Sequence, residues 1–338
     1  MTVVAADRRE VILVRTHYFD SELAAFVARL EEAGRLVCLC VDETRAPLET
    51  PEGIERLSLT RAEIARLGLR ETRETAWQCG DYGFYLAQER YPGASHFWVI
   101  EPDLLINVAD LRGFFDRLGG HPEVDLIACQ LRPASPRWFW HGPSLPHFRE
   151  VWHCIYPLVR VSAGAVGAMR AARERMAASL AQDAILANPS LWPNDEALTA
   201  GACADAGLIC RDLNAFGAAR YDRRTFSFDR PHSLARLARR GADGRIYHPV
   251  LSGERFHAKI ERQIAYIEGA PSLDSLSRLD RRVMRDLARE CGPDVAARLR
   301  RRIHALARRI DPLAPRRQAR LLLYRLRRWV RARAGRDA

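Results

Sequence analysis

The sequence predicts an α/β protein built on a mostly parallel sheet, and three observations carry that prediction. Strand, helix and strand follow one another within about 30 residues near the N-terminus, the βαβ pattern of parallel sheets. The apolar runs at residues 11–14, 36–41 and 97–100 do not alternate with polar residues, as expected where both sheet faces are covered. After Pro271 the pattern changes to Arg-rich stretches with apolar residues at helical spacing, which marks a helical extension on an α/β body.

Each element has its own signal. Residues 11–14 form the first strand. A helix follows from Ser21, with Leu23, Phe26, Val27 and Leu30 on one side, and Gly34 ends it. Residues 36–41 make a buried-type strand closed by Asp42. Short helices are expected at 61–67 and 81–90, the second set between Gly80 and Pro92. Then come a strand at 97–100, a helix over 109–118 and a strand at 125–131. Residues 132–156 are rich in Pro, Trp and His and read as loop. Residues 159–161 and 164–169 read as strand, turn and strand. Helices over 171–186 and 194–206 follow, and then a strand at 208–213. Residues 220–250 are irregular, aromatic and basic.

Beyond Pro271, Leu276, Leu279, Val283 and Leu287 form one helical stripe, and Val295, Leu299, Ile303, Leu306 and Ile310 another. Pro312 and Pro315 interrupt the chain before a third, lined by Leu322, Leu326, Trp329 and Val330. The expected organisation is a body over residues 1–270 and a basic helical extension over 271–338.

The net charge of +11 is concentrated in that extension. From Asp274 onward there are 20 arginines and 7 acids, a local charge of +13, so the preceding residues carry −2. Lys259 is the only lysine. The eight cysteines are scattered without a CxxC, which argues against a zinc site or a disulfide framework. No basic-plus-apolar leader opens the sequence, and no apolar run reaches bilayer length. The expectation is a cytoplasmic protein.

The stretch from His96 to Asp103 ends a strand-type run in two carboxylates spaced i and i+2. On an extended backbone such side chains point the same way, so Glu101 and Asp103 aim at one place beyond the strand end. They repel each other unless something positive lies between them, and a hard divalent cation with oxygen ligands suits that role. The plainer alternative is a pair of solvated acids opening a loop. In open α/β sheets, ligands sit outside the carboxyl ends of the strands. Three strand ends here carry polar groups: Arg15, Thr16 and His17, then Asp42, then Glu101 and Asp103. That convergence suits a nucleotide. No GxGxxG follows the first strand and no GxxxxGK[ST] occurs, which argues against dinucleotide-binding and P-loop readings.

The segment Cys79-Gly80-Asp81-Tyr82-Gly83-Phe84-Tyr85, followed by Phe97-Trp98-Val99-Ile100-Glu101-Pro102-Asp103, resembles nucleotide-sugar glycosyltransferases of the GT-A type. The resemblance covers roughly residues 10–255. It departs from the family's DxD pattern in having Glu first and a proline between the acids. It implies a GT-A-like, Rossmann-like fold and a metal held by Glu101 and Asp103. It further implies nucleotide contacts from Arg15, Thr16, His17 and Asp42, with Asp81 a further candidate. A late His closes the metal site in many such enzymes, and His248 in Ile246-Tyr247-His248-Pro249 sits at the matching place. Two carboxylates and an imidazole suit Mn²⁺ or Mg²⁺.

An acid at the start of a late helix often serves the family as the base for the acceptor hydroxyl, which here means Asp195 or Glu196. The structural alternative is that Asn194 caps the helix and the two acids meet its positive end. Arg220 to Arg224 form a candidate phosphate-binding loop, and Trp138, Trp140, His141, Trp152 and His153 a candidate acceptor cleft. The implied partners are a nucleotide-diphosphate sugar and a glycan, lipid-linked or protein acceptor. The last helix, with Leu321, Leu322, Tyr324, Leu326 and Trp329 among arginines, suits the anionic inner face of a membrane. Two readings of other classes stay open: a non-catalytic membrane-associated or scaffolding protein, and an Arg-rich nucleic-acid partner. The second is disfavoured because the tail lacks a recognised module and the body is not basic.

Overall fold

A computed structural model describes residues 7–310 except 273, 274, 277, 278 and 280. The elements begin with β1 (Asp7–Thr16), α1 (Ser21–Glu31), β2 (Arg35–Asp42), β3 (Arg56–Leu59), α2 (Arg61–Arg66), α3 (Thr75–Gln78), α4 (Tyr82–Arg90) and β4 (His96–Ile100). They continue with β5 (Leu105–Asn107), α5 (Leu111–Gly119), β6 (Leu126–Pro133), α6 (His141–Ser144), β7 (Trp152–Ser162), α7 (Ala163–Ser179) and α8 (Gln182–Ala187). Then come α9 (Asp195–Asp205), β8 (Cys210–Asp212), β9 (His232–Ser233), α10 (Leu234–Arg240), β10 (Arg245–Tyr247) and β11 (Val250–Leu251). The last described helices are α11 (Gly253–Gly269), α12 (Arg281–Cys291) and α13 (Pro293–Ile310).

The fold class is the one the apolar runs predict: a mixed α/β fold around a seven-stranded sheet flanked by helices. The strand order is β3-β2-β1-β4-β7-β6-β8. All pairs are parallel except those of β7, which runs antiparallel to β4 and β6. Residues 11–14 of β1 and all five of β4 are buried, which is why neither run alternates. The helix at Ser21 starts as its sequence dictates. Asp20 caps it by accepting from the Leu23 amide, and Leu23, Val27 and Leu30 turn inward.

Three stretches depart from expectation. Residues 164–169 are helical rather than a strand, because Ser162 accepts from the Ala165 amide and starts the Ala-rich α7 as β7 ends. The helix expected over 171–186 is two helices, parted where Leu180 takes an extended conformation. The expected loop at 132–156 is edged by strand on both sides, since Arg132 and Pro133 pair with His153 and Trp152. The four-residue β3 buries only Leu59 and carried too little apolar signal to be seen.

The chain forms two compact units. One runs up to Asp222 and includes Ala242–Ile246; the other takes in Arg223–Gly241 and the residues from Tyr247 on. The first holds the sheet, with a core that includes Val11, Leu13, Tyr82, Phe84, Phe97, Val159 and Trp192. In the second, Phe256, Ile260 and Ile264 of α11 pack with Val283 and Leu287 of α12 and Leu299, Ile303 and Leu306 of α13. The apolar stripes read from the sequence are thus the buried faces of α12 and α13. Arg302 ties α13 to α11 through Glu261 (2.6 Å) and Glu268 (3.1 Å). Among the described residues, no helix is long and apolar enough to cross a membrane. The expected helix around Leu322 and Trp329 lies outside the described residues.

Candidate functional site

Register places the first site residues side by side. Val14 of β1 pairs with Ile100 of β4, so Arg15 and Glu101 leave the sheet as neighbours. On the other flank Ile100 pairs with Leu158 of β7, and the Glu101 amide donates to the Pro157 carbonyl (3.1 Å). The chain then turns, with the Leu104 amide donating to the Glu101 carbonyl (3.0 Å), and Asp103 sits half-buried in that turn.

Arg15 is the hub. One guanidinium nitrogen donates to Glu101 and the other to Asp195 Oδ2 at 2.8 Å, while the plane lies 5.4 Å from the Tyr156 ring centre. Burial disfavours the arginine's charge, but Glu101 and Asp195 outweigh it and hold the group firmly protonated. Gly80 completes the arrangement by donating its amide to Asp195 Oδ2 (3.1 Å). A methyl group at Gly80 would overlap the Arg15 guanidinium and the Asp195 carboxylate, so this close approach requires glycine.

Asp195 and Glu196 open α9, capped by Asn194 through the Ala197 amide (3.2 Å). The cap expected from the sequence thus holds Asp195 against Arg15. Asp195 is buried, and its second oxygen accepts from the Glu196 amide (2.9 Å). Burial pushes its carboxyl up to about 7, against the pull of Arg15. Glu196 is partly buried and accepts from the Asn194 side-chain amide (3.1 Å). Burial, then the neighbouring Asp195 charge, push its carboxyl up to about 8. Two adjacent acids thus sit in the range useful for proton transfer near neutral pH.

Asp81 faces inward rather than toward a ligand. It is fully buried, and both its oxygens are taken by Arg173 of α7 (2.8 and 2.9 Å), with Tyr85 donating to one of them (2.8 Å). Arg173 also donates to the Pro193 carbonyl (2.8 Å), and its guanidinium lies 4.9 Å from the Trp192 ring centre. This pair ties the segment ahead of α4 to the segment ahead of α9, so it frames Gly80 and Asp195. Nothing in the residue pattern singled out Arg173, whose helix read partly as strand.

The remaining predicted residues are spread out. Thr16 is buried and closes a local turn, donating to the Tyr18 carbonyl (2.7 Å). His17 is exposed, edge-on to Tyr18. Asp42 accepts from the Thr44 amide (3.0 Å) and hydroxyl (2.7 Å) and lines a small polar cleft with Arg45, Arg61, Glu71 and Arg73. Trp138 stacks near His153 (5.1 Å), and Trp140 meets Trp77 (6.4 Å) and Phe139 (4.9 Å). Trp77 and Phe139 are exposed members of this aromatic group that the sequence reading passed over. Tyr221 is anchored rather than loose: it donates to Asp212 (2.5 Å) and accepts from the Gln130 amide (2.6 Å). In the second unit, His248 is buried, its amide donates to the Thr225 carbonyl (2.8 Å), and its ring packs against Phe226 and Phe228.

No protein family and no curated protein matches this chain. Among solved structures, it is similar to a glycosyltransferase involved in the glycosylation of the major capsid of PBCV-1, with 11% identity, TM-score 0.35, and coverage of 71% of this chain and 91% of that one. It is also similar to the mouse xyloside xylosyltransferase 1 in apo form, with 12% identity, TM-score 0.32, and coverage of 71% and 96%. A third similar structure is the inositol-1-phosphate CTP transferase from T. maritima, with 11% identity, TM-score 0.32, and coverage of 62% and 85%.

Proposed function

We propose that this protein is a metal-dependent, GT-A-like glycosyltransferase that moves a sugar from a nucleotide-diphosphate donor to a glycan, lipid-linked or protein acceptor. The observation that carries the reading is the convergence of Glu101, Arg15 and Asp195 at the carboxyl ends of the central parallel strands, where α/β sheets bind ligands.

The donor set fits a hard cation. Glu101 and Asp103 offer carboxylate oxygens from one turn, both are partly exposed, and Glu101 already meets a positive group in Arg15. His248 is proposed as the third ligand, with Mn²⁺ or Mg²⁺ as the ion. When bound, such an ion supplies charge neutralisation for a departing nucleoside diphosphate. Asp42 and the arginines of its cleft are proposed to meet the nucleoside, with His17 after β1 a further candidate.

The chain's own residues divide the remaining work. Asp195 has both oxygens engaged by N–H donors, so its role is to hold Arg15 and the Gly80 turn in place. Glu196 is the more open of the two acids and is proposed to take the acceptor proton. Trp77 and Phe139, packed beside the buried Trp140, are proposed to offer flat faces for an acceptor sugar. The basic tail is proposed to meet anionic lipid, which co-sedimentation with phosphatidylserine vesicles tests.

Calorimetric titration with UDP-, GDP- and CMP-sugars, with and without Mn²⁺, tests the reading. It predicts Mn²⁺-dependent heat for one nucleotide class. Silence across the panel would instead favour a non-catalytic role.

A further inference from the structure

The Arg15 bridge has a consequence for any cation that binds at Glu101. Arg15 lies one residue before the end of β1, is largely shielded from solvent, and spends both arms of its guanidinium on carboxylates. Its plane is further fixed over the Tyr156 ring, and the Gly80 backbone closes against it. The guanidinium therefore has no room to shift on the Gly80 side. A permanent positive charge is thus held on the very carboxylate that a metal would use, in surroundings where screening by water is weak.

We infer that Arg15 is an internal competitor for the cation at Glu101, so that the protein alone binds the ion weakly and an anionic ligand must accompany it. The inference rests on the metal role proposed above for Glu101 and Asp103. Two effects act together. Arg15 neutralises one of the two acids that would attract the ion, and its charge repels the ion directly. A diphosphate arriving with the metal reverses both effects, since its oxygens give Arg15 and the ion a common counter-charge. Arg15 is on this account a positioning and gating residue, because it acts on metal through Glu101. It sets an order of binding in which metal enters as the nucleotide complex. The opposite arrangement is also chemically coherent: an arginine that merely orients a ligating carboxylate strengthens metal binding, and its loss weakens it. The sign of the effect therefore separates the two.

The test is Mn²⁺ binding to the full chain without nucleotide, read by the loss of the free-ion electron paramagnetic resonance signal. The variants are Arg15→Gln, Arg15→Lys, Asp103→Asn and Arg15→Gln combined with Asp103→Asn, each matched to wild type by circular dichroism. The expected result is that Arg15→Gln binds Mn²⁺ at least fivefold more tightly than wild type. Arg15→Lys, which keeps the charge and guards against a folding artefact, should stay within twofold of wild type. Adding Asp103→Asn should erase the gain. Equal or weaker binding by Arg15→Gln overturns the inference while leaving the metal role of Glu101 and Asp103 standing, provided that wild type binds and Asp103→Asn does not. Absence of Mn²⁺ binding in every variant without nucleotide overturns the inference, and its absence with UDP added as well overturns both.

Discussion

At the scale of single residues, Glu196 is where chemistry and electrostatics meet. Its carboxyl is pushed up to about 8 by burial and by Asp195, so it gains its charge only above neutral pH. If it takes the acceptor proton, transfer must rise with pH and level off above an apparent value near 8. Glu196→Gln should lower the turnover by about 10²–10⁴-fold and remove that rise, as a pH–rate profile will show. Asp195→Asn should instead loosen Arg15, and its effect should be shared by Gly80→Ala, which crowds the same contact. The acids at 101, 103, 195 and 196 were legible because strand ends and helix starts announce themselves. The bridge from Glu101 to Asp195 through Arg15 was not, since the register of β1 on β4 accounts only for Glu101, and Asp195 reaches Arg15 from α9, 180 residues away in the chain.

At the scale of elements, the buried Asp81–Arg173 pair joins α4, α7 and the start of α9. Breaking one partner of such a pair leaves an uncompensated buried charge and costs about 3–5 kcal/mol. Arg173→Met should therefore destabilise the protein by that order in urea unfolding, and Asp81→Asn by a comparable amount. A change confined to nucleotide affinity, with stability intact, would contradict the framing role. The resemblance made Asp81 a further candidate for the nucleotide, and the structure pairs it with Arg173 in the core. Sequence reasoning could not see that α7 supplies the partner, because residues 164–169 read as strand from their short apolar run and the serine cap that starts the helix is a single residue. By contrast the buried centres of β1, β2 and β4 were legible, since continuous apolar runs leave few alternatives, while residues 7–10 of β1 were not. The stripes of α12 and α13 were legible for the same reason, with Leu287 and Leu299 now wholly buried in one cluster with α11. Leu299→Ala should cost about 2–5 kcal/mol by the same unfolding measurement.

At the scale of the whole molecule, charge placement sets how the fold responds to pH. Glu10 sits near the start of β1, buried, and accepts from Arg35 (2.7 Å) and from Arg160 (2.9 Å). Burial alone would raise its carboxyl, but the two arginines outweigh it and hold the group below its usual range. A depressed acid contributes stability above its unfolded value, and that contribution is lost as pH falls through the folded value. Glu10→Gln should therefore be less stable than wild type near neutral pH, with the gap closing in acid, as unfolding curves at several pH values will show. The strand ends opposite to Glu10 carry the candidate site, so one end of the sheet is braced by paired charges and the other is left to bind. That division gives the central claim its sharpest check: equilibrium binding of Mn²⁺ with UDP to wild type and to Asp103→Asn, at matched folding. The account predicts that the metal-dependent part of nucleotide binding disappears in the variant. Unchanged metal dependence in Asp103→Asn would contradict it.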